Sequence, residues 1–169
     1  MYTDNFISFT SQTACGDAFL QDEMGRRIQV ITGRGAYLFT EDNAFCITGL
    51  PADKPGEEYE CIHGLGYTKI KSKHNEISTE YITFVPLCED KNSGYEIHRI
   101  SVKNNTQQKQ KFRVVMYIDT PLDGSYQKQG YNIDSIDLDK NLNGFKKEIN
   151  TVWNGENTKL FAGLFACNG

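Results

Sequence analysis

The chain is predicted to be all-β, a large antiparallel β-sandwich, and three features of the sequence predict it. Apolar residues recur with a period of two along most of its length. Pairs of Asn, Gly and Pro separate the alternating runs. No window of helical length carries an apolar stripe of period 3.6, so crossover helices are lacking and a parallel sheet is disfavoured. With 169 residues and 20 aromatic side chains, the chain is expected to form one domain, residues 1–169. A domain of this size buries about 70% of its unfolded surface and folds without a metal or disulfide staple.

The expected strands follow one another along the sequence. They run from Phe6 to Thr13, Arg27 to Thr32, Tyr37 to Thr40, Phe45 to Thr48 and Tyr67 to Ser72. In the clearest alternation, over residues 75 to 85, Ile77, Thr79, Tyr81, Thr83 and Val85 face one side and Ser78, Glu80, Ile82 and Phe84 the other, until Pro86 ends the run. Tyr95 to Lys103 follows, and its apolar phase changes from Tyr95 and Ile97 to Ile100 and Val102, which predicts a bulge near His98 and Arg99. Phe112, Val114, Met116 and Ile118 alternate with Arg113, Val115 and Tyr117 in the next strand. Phe145 to Val152 and Leu160 to Cys167 complete the set, the last apolar on both faces as a buried strand is. Gly33-Arg34-Gly35, Asn104-Asn105 and Asn154-Gly155 are among the expected turns. The apolar run close to Gly169 predicts a domain cut from a longer chain.

Composition removes several function classes. Acidic residues outnumber basic ones by 22 to 18, giving a net charge of −4 with no basic patch, so nucleic acid is not an expected partner. No apolar run is long enough to cross a bilayer as a helix, and no membrane partner is expected. Five dispersed cysteines without a Cys-x-x-Cys pair are expected to be reduced thiols in a cytoplasmic protein. Asn104-Asn105-Thr106 fits a glycosylation pattern, but it reads more simply as a strand-ending turn.

The candidate chemistry is sparse. Hydrolysis of a glycoside needs two opposed carboxylates, and none of the 22 acidic residues stands in a spacing that singles it out; Asp119 and Asp123 read as turn formers. Cys61 and His63 share one strand face, yet a zinc site needs four ligands and a nucleophilic pair needs a third group to orient the His. No metal, no cofactor and no catalytic residue is therefore expected, and His63 reads as a hydrogen-bonded structural residue. The long polar segment from Thr120 to Tyr131 has the aromatic and amide composition of a binding loop. Trp153, Tyr126 and Tyr131 are the stacking platforms if the chain is a stand-alone carbohydrate-binding module.

The segment from Tyr59 through Glu60-Cys61-Ile62-His63-Gly64-Leu65-Gly66-Tyr67 to Ile70 resembles a signature of the cellobiose phosphorylase family, glycoside hydrolase family 94. The similarity continues through Asn75 to Glu80, Thr83-Phe84-Val85-Pro86-Leu87 and Glu96-Ile97-His98-Arg99 to Asn104, with weaker likeness at Phe6-Ile7-Ser8 and Thr13-Ala14-Cys15-Gly16. The resemblance implies a galactose mutarotase-like supersandwich followed by an (α/α)6 barrel that is absent from these residues. It implies that the barrel holds the general acid and binds inorganic phosphate as co-substrate, leaving the sandwich non-catalytic. It further implies a carbohydrate partner and a homodimer in which a sandwich loop reaches the partner subunit's sugar site. The family's aromatic-Gln-Arg triplet in that loop aligns with Tyr126-Gln127-Lys128, the candidate substrate-binding residues, with Lys where the family has Arg. Lys lacks Arg's planar fork for bidentate binding. Ile62 likewise stands where the family often has Arg.

Overall fold

The computed structural model of the chain describes residues 1, 3, 5–49, 58–87, 89, 94–119, 136–139, 144–153 and 156–165. Side chains are described up to 119 and at Glu156. Among the described residues, thirteen strands form four antiparallel sheets and no helix occurs. The first sheet joins β1 (Phe6–Ser8), β2 (Ala18–Gln21) and β3 (Arg27–Ile31) in that order. β4 (Gly33–Phe39) lies between β10 (Arg113–Asp119) and β5 (Ala44–Cys46) in the second. β6 (Glu58–Gly64), β7 (Tyr67–His74), β8 (Ile77–Phe84) and β9 (Ile97–Asn104) form a meander. β11 (Ile136–Asp139), β12 (Gly144–Trp153) and β13 (Glu156–Phe165) form the fourth sheet, with Trp153 opposite Glu156.

The meander shows why alternation sets the fold. Thr68, Ile70, Ser72 and His74 of β7 and Ile77, Thr79, Tyr81 and Thr83 of β8 are all buried, whereas the residues between them face outward. The buried face packs on Ala36 and Leu38 of β4, with Ala14 and Ile47 beside them, so the second and third sheets make a sandwich. On the outer face, cross-strand ion pairs link Glu60 to Lys71 at 3.1 Å and Glu80 to Arg99 at 3.2 Å. Each exposed pair contributes less than about 1 kcal/mol, but together they keep this face wet and the register fixed. A second core, made of Phe6, Ala18, Leu20, Ile28 and Val30, belongs to the first sheet and meets Val85.

Two expectations fail. Gly33-Arg34-Gly35 is not a hairpin turn: it opens β4, and the chain bends at Thr32 to pass from the first sheet to the second. A Cβ at position 33 would make ordinary contact with Asp119 and Tyr117 of β10, at 3.6 and 3.9 Å, so the position is a regular strand residue and not a turn that requires glycine. The bulge near His98 is also missing, since β8 and β9 pair without interruption from Ile77–Asn104 to Phe84–Ile97. The apolar phase changes because the inward positions of this segment are polar at Glu96 and His98 and apolar at Ile100 and Val102. The register shift observed in the chain lies instead between Ala18 and Phe19.

Asn104 ends β9 as expected, its side-chain oxygen accepting from the Thr106 amide at 2.9 Å. Cys15, Cys46 and Cys61 are free thiols. β2, β6 and β11 were not among the expected strands. β2 is short and β6 alternates charge with aromatic or sulfur side chains, so neither carries a strong apolar period.

Candidate functional site

The densest polar cluster among the described residues lies inside the sandwich, centred on Arg34. β4 directs this side chain inward, where its exposure is 0%, and burying an unpaired guanidinium there would be prohibitive. Its Nη2 pairs with Glu96 Oε1 at 2.9 Å. The same nitrogen reaches the Ser8 hydroxyl at 2.9 Å, the Phe9 carbonyl at 3.0 Å and the Thr10 hydroxyl at 2.9 Å. Four oxygens thus share the two hydrogens of one nitrogen. Nη1 donates to the Gly16 carbonyl at 2.9 Å, while Nε lacks a hydrogen-bond partner among the described residues.

The loop around the guanidinium is shaped for it. Gly16 has φ +154°, and a Cβ there would stand 2.0 Å from the Phe9 carbonyl oxygen, so only glycine presents its carbonyl to Arg34 without moving the loop. Ala14 adopts φ 56° nearby and is fully buried.

Glu96 completes the cluster from the other side. Its Oε1 also accepts from Ser8 Oγ at 2.7 Å and Thr83 Oγ1 at 3.1 Å, and its Oε2 lies 3.5 Å from His98 Nε2. Tyr81 OH stands 2.6 Å from His98 Nδ1. Burial pushes the Tyr81 phenol well above its ordinary range, so it keeps its proton. Burial also works to raise Glu96, but the hydrogen bond and charge of His98, followed by Arg34 and Ser8, outweigh it and hold the carboxyl below its usual 4.5.

The sign of the resulting pH dependence follows from that depressed value. Glu96 contributes stability that is fully present above its unfolded-state pKa and is lost as pH falls through the lower folded-state value. Asp22, held down chiefly by Arg26 against the effect of burial, acts in the same direction. Urea unfolding followed from pH 7 to pH 3 is expected to show stability falling only on the acid side. Glu96→Gln is expected to flatten that fall; an unchanged acid slope would show that Glu96 is not its source.

Tyr-His-Glu order resembles a proton relay, yet Tyr81 is 0% exposed and the Glu96 side chain 2%, so no sugar oxygen reaches them. Its consequence is mechanical: the amino-terminal strand and loop, β4 and the β8–β9 hairpin are tied at one point. Sequence reading passed over Arg34 as a turn residue. The signal that was available is the i, i+2 spacing of Glu96 with His98 and of Tyr81 with Thr83, which puts each pair on one strand face.

Other sequence candidates resolve as structural. Cys61 Sγ and His63 Nε2 stand 3.7 Å apart, but burial raises the thiol's pKa and disfavours a thiolate. His63 Nδ1 is engaged with Thr68 Oγ1 at 3.0 Å, the structural role expected for it. Ser72 contacts His74 Nε2 at 3.3 Å and Thr79 Oγ1 at 2.6 Å, and all three side chains are buried. No group of three or more metal-ligating side chains occurs among the described residues. Tyr126, Gln127, Lys128 and Tyr131, together with Asp123, lie outside the described residues, as does the side chain of Trp153.

The class of protein that these features define is an antiparallel β-sandwich whose buried polar cluster serves cohesion. Residues 3–132 match the supersandwich domain of glycosyl hydrolase 94, and the chain belongs to that family. No curated protein sequence matches the chain.

Proposed function

We propose that this chain is the non-catalytic sandwich domain of a cytoplasmic glycoside phosphorylase acting on β-linked gluco-disaccharides or oligosaccharides. The observation that carries the reading is the family match across residues 3–132, most of the chain, joined to a core in which buried Arg34 and Glu96 are engaged with each other. In this reading the catalytic barrel binds inorganic phosphate and the sugar, and the sandwich buttresses the barrel and pairs two subunits. Tyr126, Gln127 and Lys128 contribute to the edge of the sugar site, where the Lys128 ammonium bonds a sugar hydroxyl or an anion as a point charge. Free Cys15, Cys46 and Cys61 support a reducing compartment.

The test is an assay of the purified chain for release of glucose 1-phosphate from cellobiose and phosphate. No turnover is expected from the chain, and turnover is expected when a family barrel is joined to it. Phosphorolysis by the chain alone would overturn the non-catalytic assignment. Tight calorimetric binding of gluco-oligosaccharides by the chain alone would instead favour a binding module.

A further inference from the structure

We propose that the Arg34–Glu96 cluster is a binding site for one internal water molecule, which accepts a hydrogen bond from Arg34 Nε and donates one to Glu96 Oε2.

Among the described residues, two buried side-chain polar atoms lack a hydrogen-bond partner, Arg34 Nε and Glu96 Oε2. Both belong to one ion pair. Nε is bonded through Cζ to Nη2 and Oε2 through Cδ to Oε1, and Nη2 and Oε1 are themselves in contact at 2.9 Å. The side chains are 0% and 2% exposed, so bulk solvent does not serve them. Each atom is one-sided in its chemistry: the guanidinium Nε only donates, and the oxygen of an ionised carboxylate only accepts. Left bare in the interior, each carries the full desolvation penalty of an unpaired group attached to a charge.

The direct remedy is a bidentate fork, with Nε on Oε2 beside Nη2 on Oε1. The surroundings hold both groups out of it. Ser8 Oγ at 2.7 Å and Thr83 Oγ1 at 3.1 Å donate to Oε1 and fix the carboxylate from two strands. The guanidinium is fixed in turn by the carbonyls of Gly16 and Phe9 and the hydroxyl of Thr10. Turning either group to close the fork strains these bonds, whereas a water leaves them all in place. It offers an oxygen to Nε and a hydrogen to Oε2, and His98 Nε2, 3.5 Å from Oε2, is the next polar atom beyond. Two to four such partners are what a buried water requires. Because one neighbour is a donor on a cation and the other an acceptor on an anion, the site suits a small neutral dipole and not an ion.

The walls come from different parts of the chain: the segment from Ser8 to Gly16, β4, and the β8–β9 hairpin. Release of the water therefore requires these parts to separate locally, and its residence time reports how often they do.

Nuclear magnetic resonance of the intact 169-residue chain tests the assignment without any substitution. The Arg34 Nε proton, assigned through its couplings to its own side chain, is expected to show a cross-peak to water that has opposite signs in NOESY and ROESY spectra. That reversal marks a held water, since hydrogen exchange gives the same sign in both. A crystal structure is expected to show one solvent peak within hydrogen-bond distance of both Nε and Oε2. A direct Nε–Oε2 bond with no solvent peak overturns the inference, and so does an Nε proton that shows no contact with water or only exchange with it.

Discussion

Arg34→Ala is expected to cost about 3–5 kcal/mol of folding stability, the range found when one partner of a buried ion pair is removed. Single domains are stable by only about 5–15 kcal/mol in total, so the variant stands close to unfolding. The loss has two sources. Glu96 keeps a buried charge whose Arg34 counter-ion is gone, and the carbonyls of Phe9 and Gly16 lose donors. Glu96→Leu alone is expected to be harmful for the mirror reason, since it leaves the guanidinium without its counter-ion. In the combined variant neither charge is stranded, so its loss is expected to be smaller than the sum of the two single losses. Urea denaturation of the four proteins at pH 7 measures this directly. Additive losses would mean that Arg34 and Glu96 act independently despite their 2.9 Å contact.

The second large effect lies in the apolar core. Ile70 is fully buried on β7, in the cluster that joins Leu38 of β4 to Ile77 and Tyr81 of β8. Ile70→Ala is expected to destabilise the chain by about 2–5 kcal/mol through lost transfer energy and the cavity left behind. Ile70→Val is expected to cost only about 0.5–1.5 kcal/mol, because a β-branched residue of nearly the same shape fills the position. A shift in the urea midpoint without a change in slope distinguishes lost packing from an altered unfolded state. Equal midpoints for the Ala and Val variants would show that the position is not close-packed.

These effects place the family's signature in physical terms. Ile70, Thr83, Glu96 and His98 all fall within the segments that resemble the cellobiose phosphorylase family, and all four point inward. The signature therefore includes residues that hold the sandwich together. Gly64 and Gly66 serve the same end at the β6–β7 hairpin: Gly66 has φ +81°, and a Cβ on Gly64 would stand 2.2 Å from the Tyr67 ring.

Much of this fold was legible without coordinates. Strict alternation over 75–85 placed β8 to within two residues and marked Ile77, Thr79, Tyr81 and Thr83 as one face, all of them buried. The Asn104 turn and the structural role of His63 were readable because each depends on residues close in the chain. Arg34 was misread for the converse reason. A Gly-Arg-Gly triplet between two strands has the local chemistry of a turn, and only its distant partners explain why the chain continues as a strand.

Sequence alone thus determined the class of fold, because side-chain alternation is a local property that a strand cannot avoid displaying. It determined the family as well, since the signature residues stand in order along the chain. Tertiary structure decided the rest. Arg34 finds Glu96 at a sequence separation of 62 positions, at which no local rule operates. The placement of β4 between β10 and β5 likewise emerged only from the folded chain. Both depend on long-range burial and strand order, which are settled by the packing of the whole chain and not by any stretch of it.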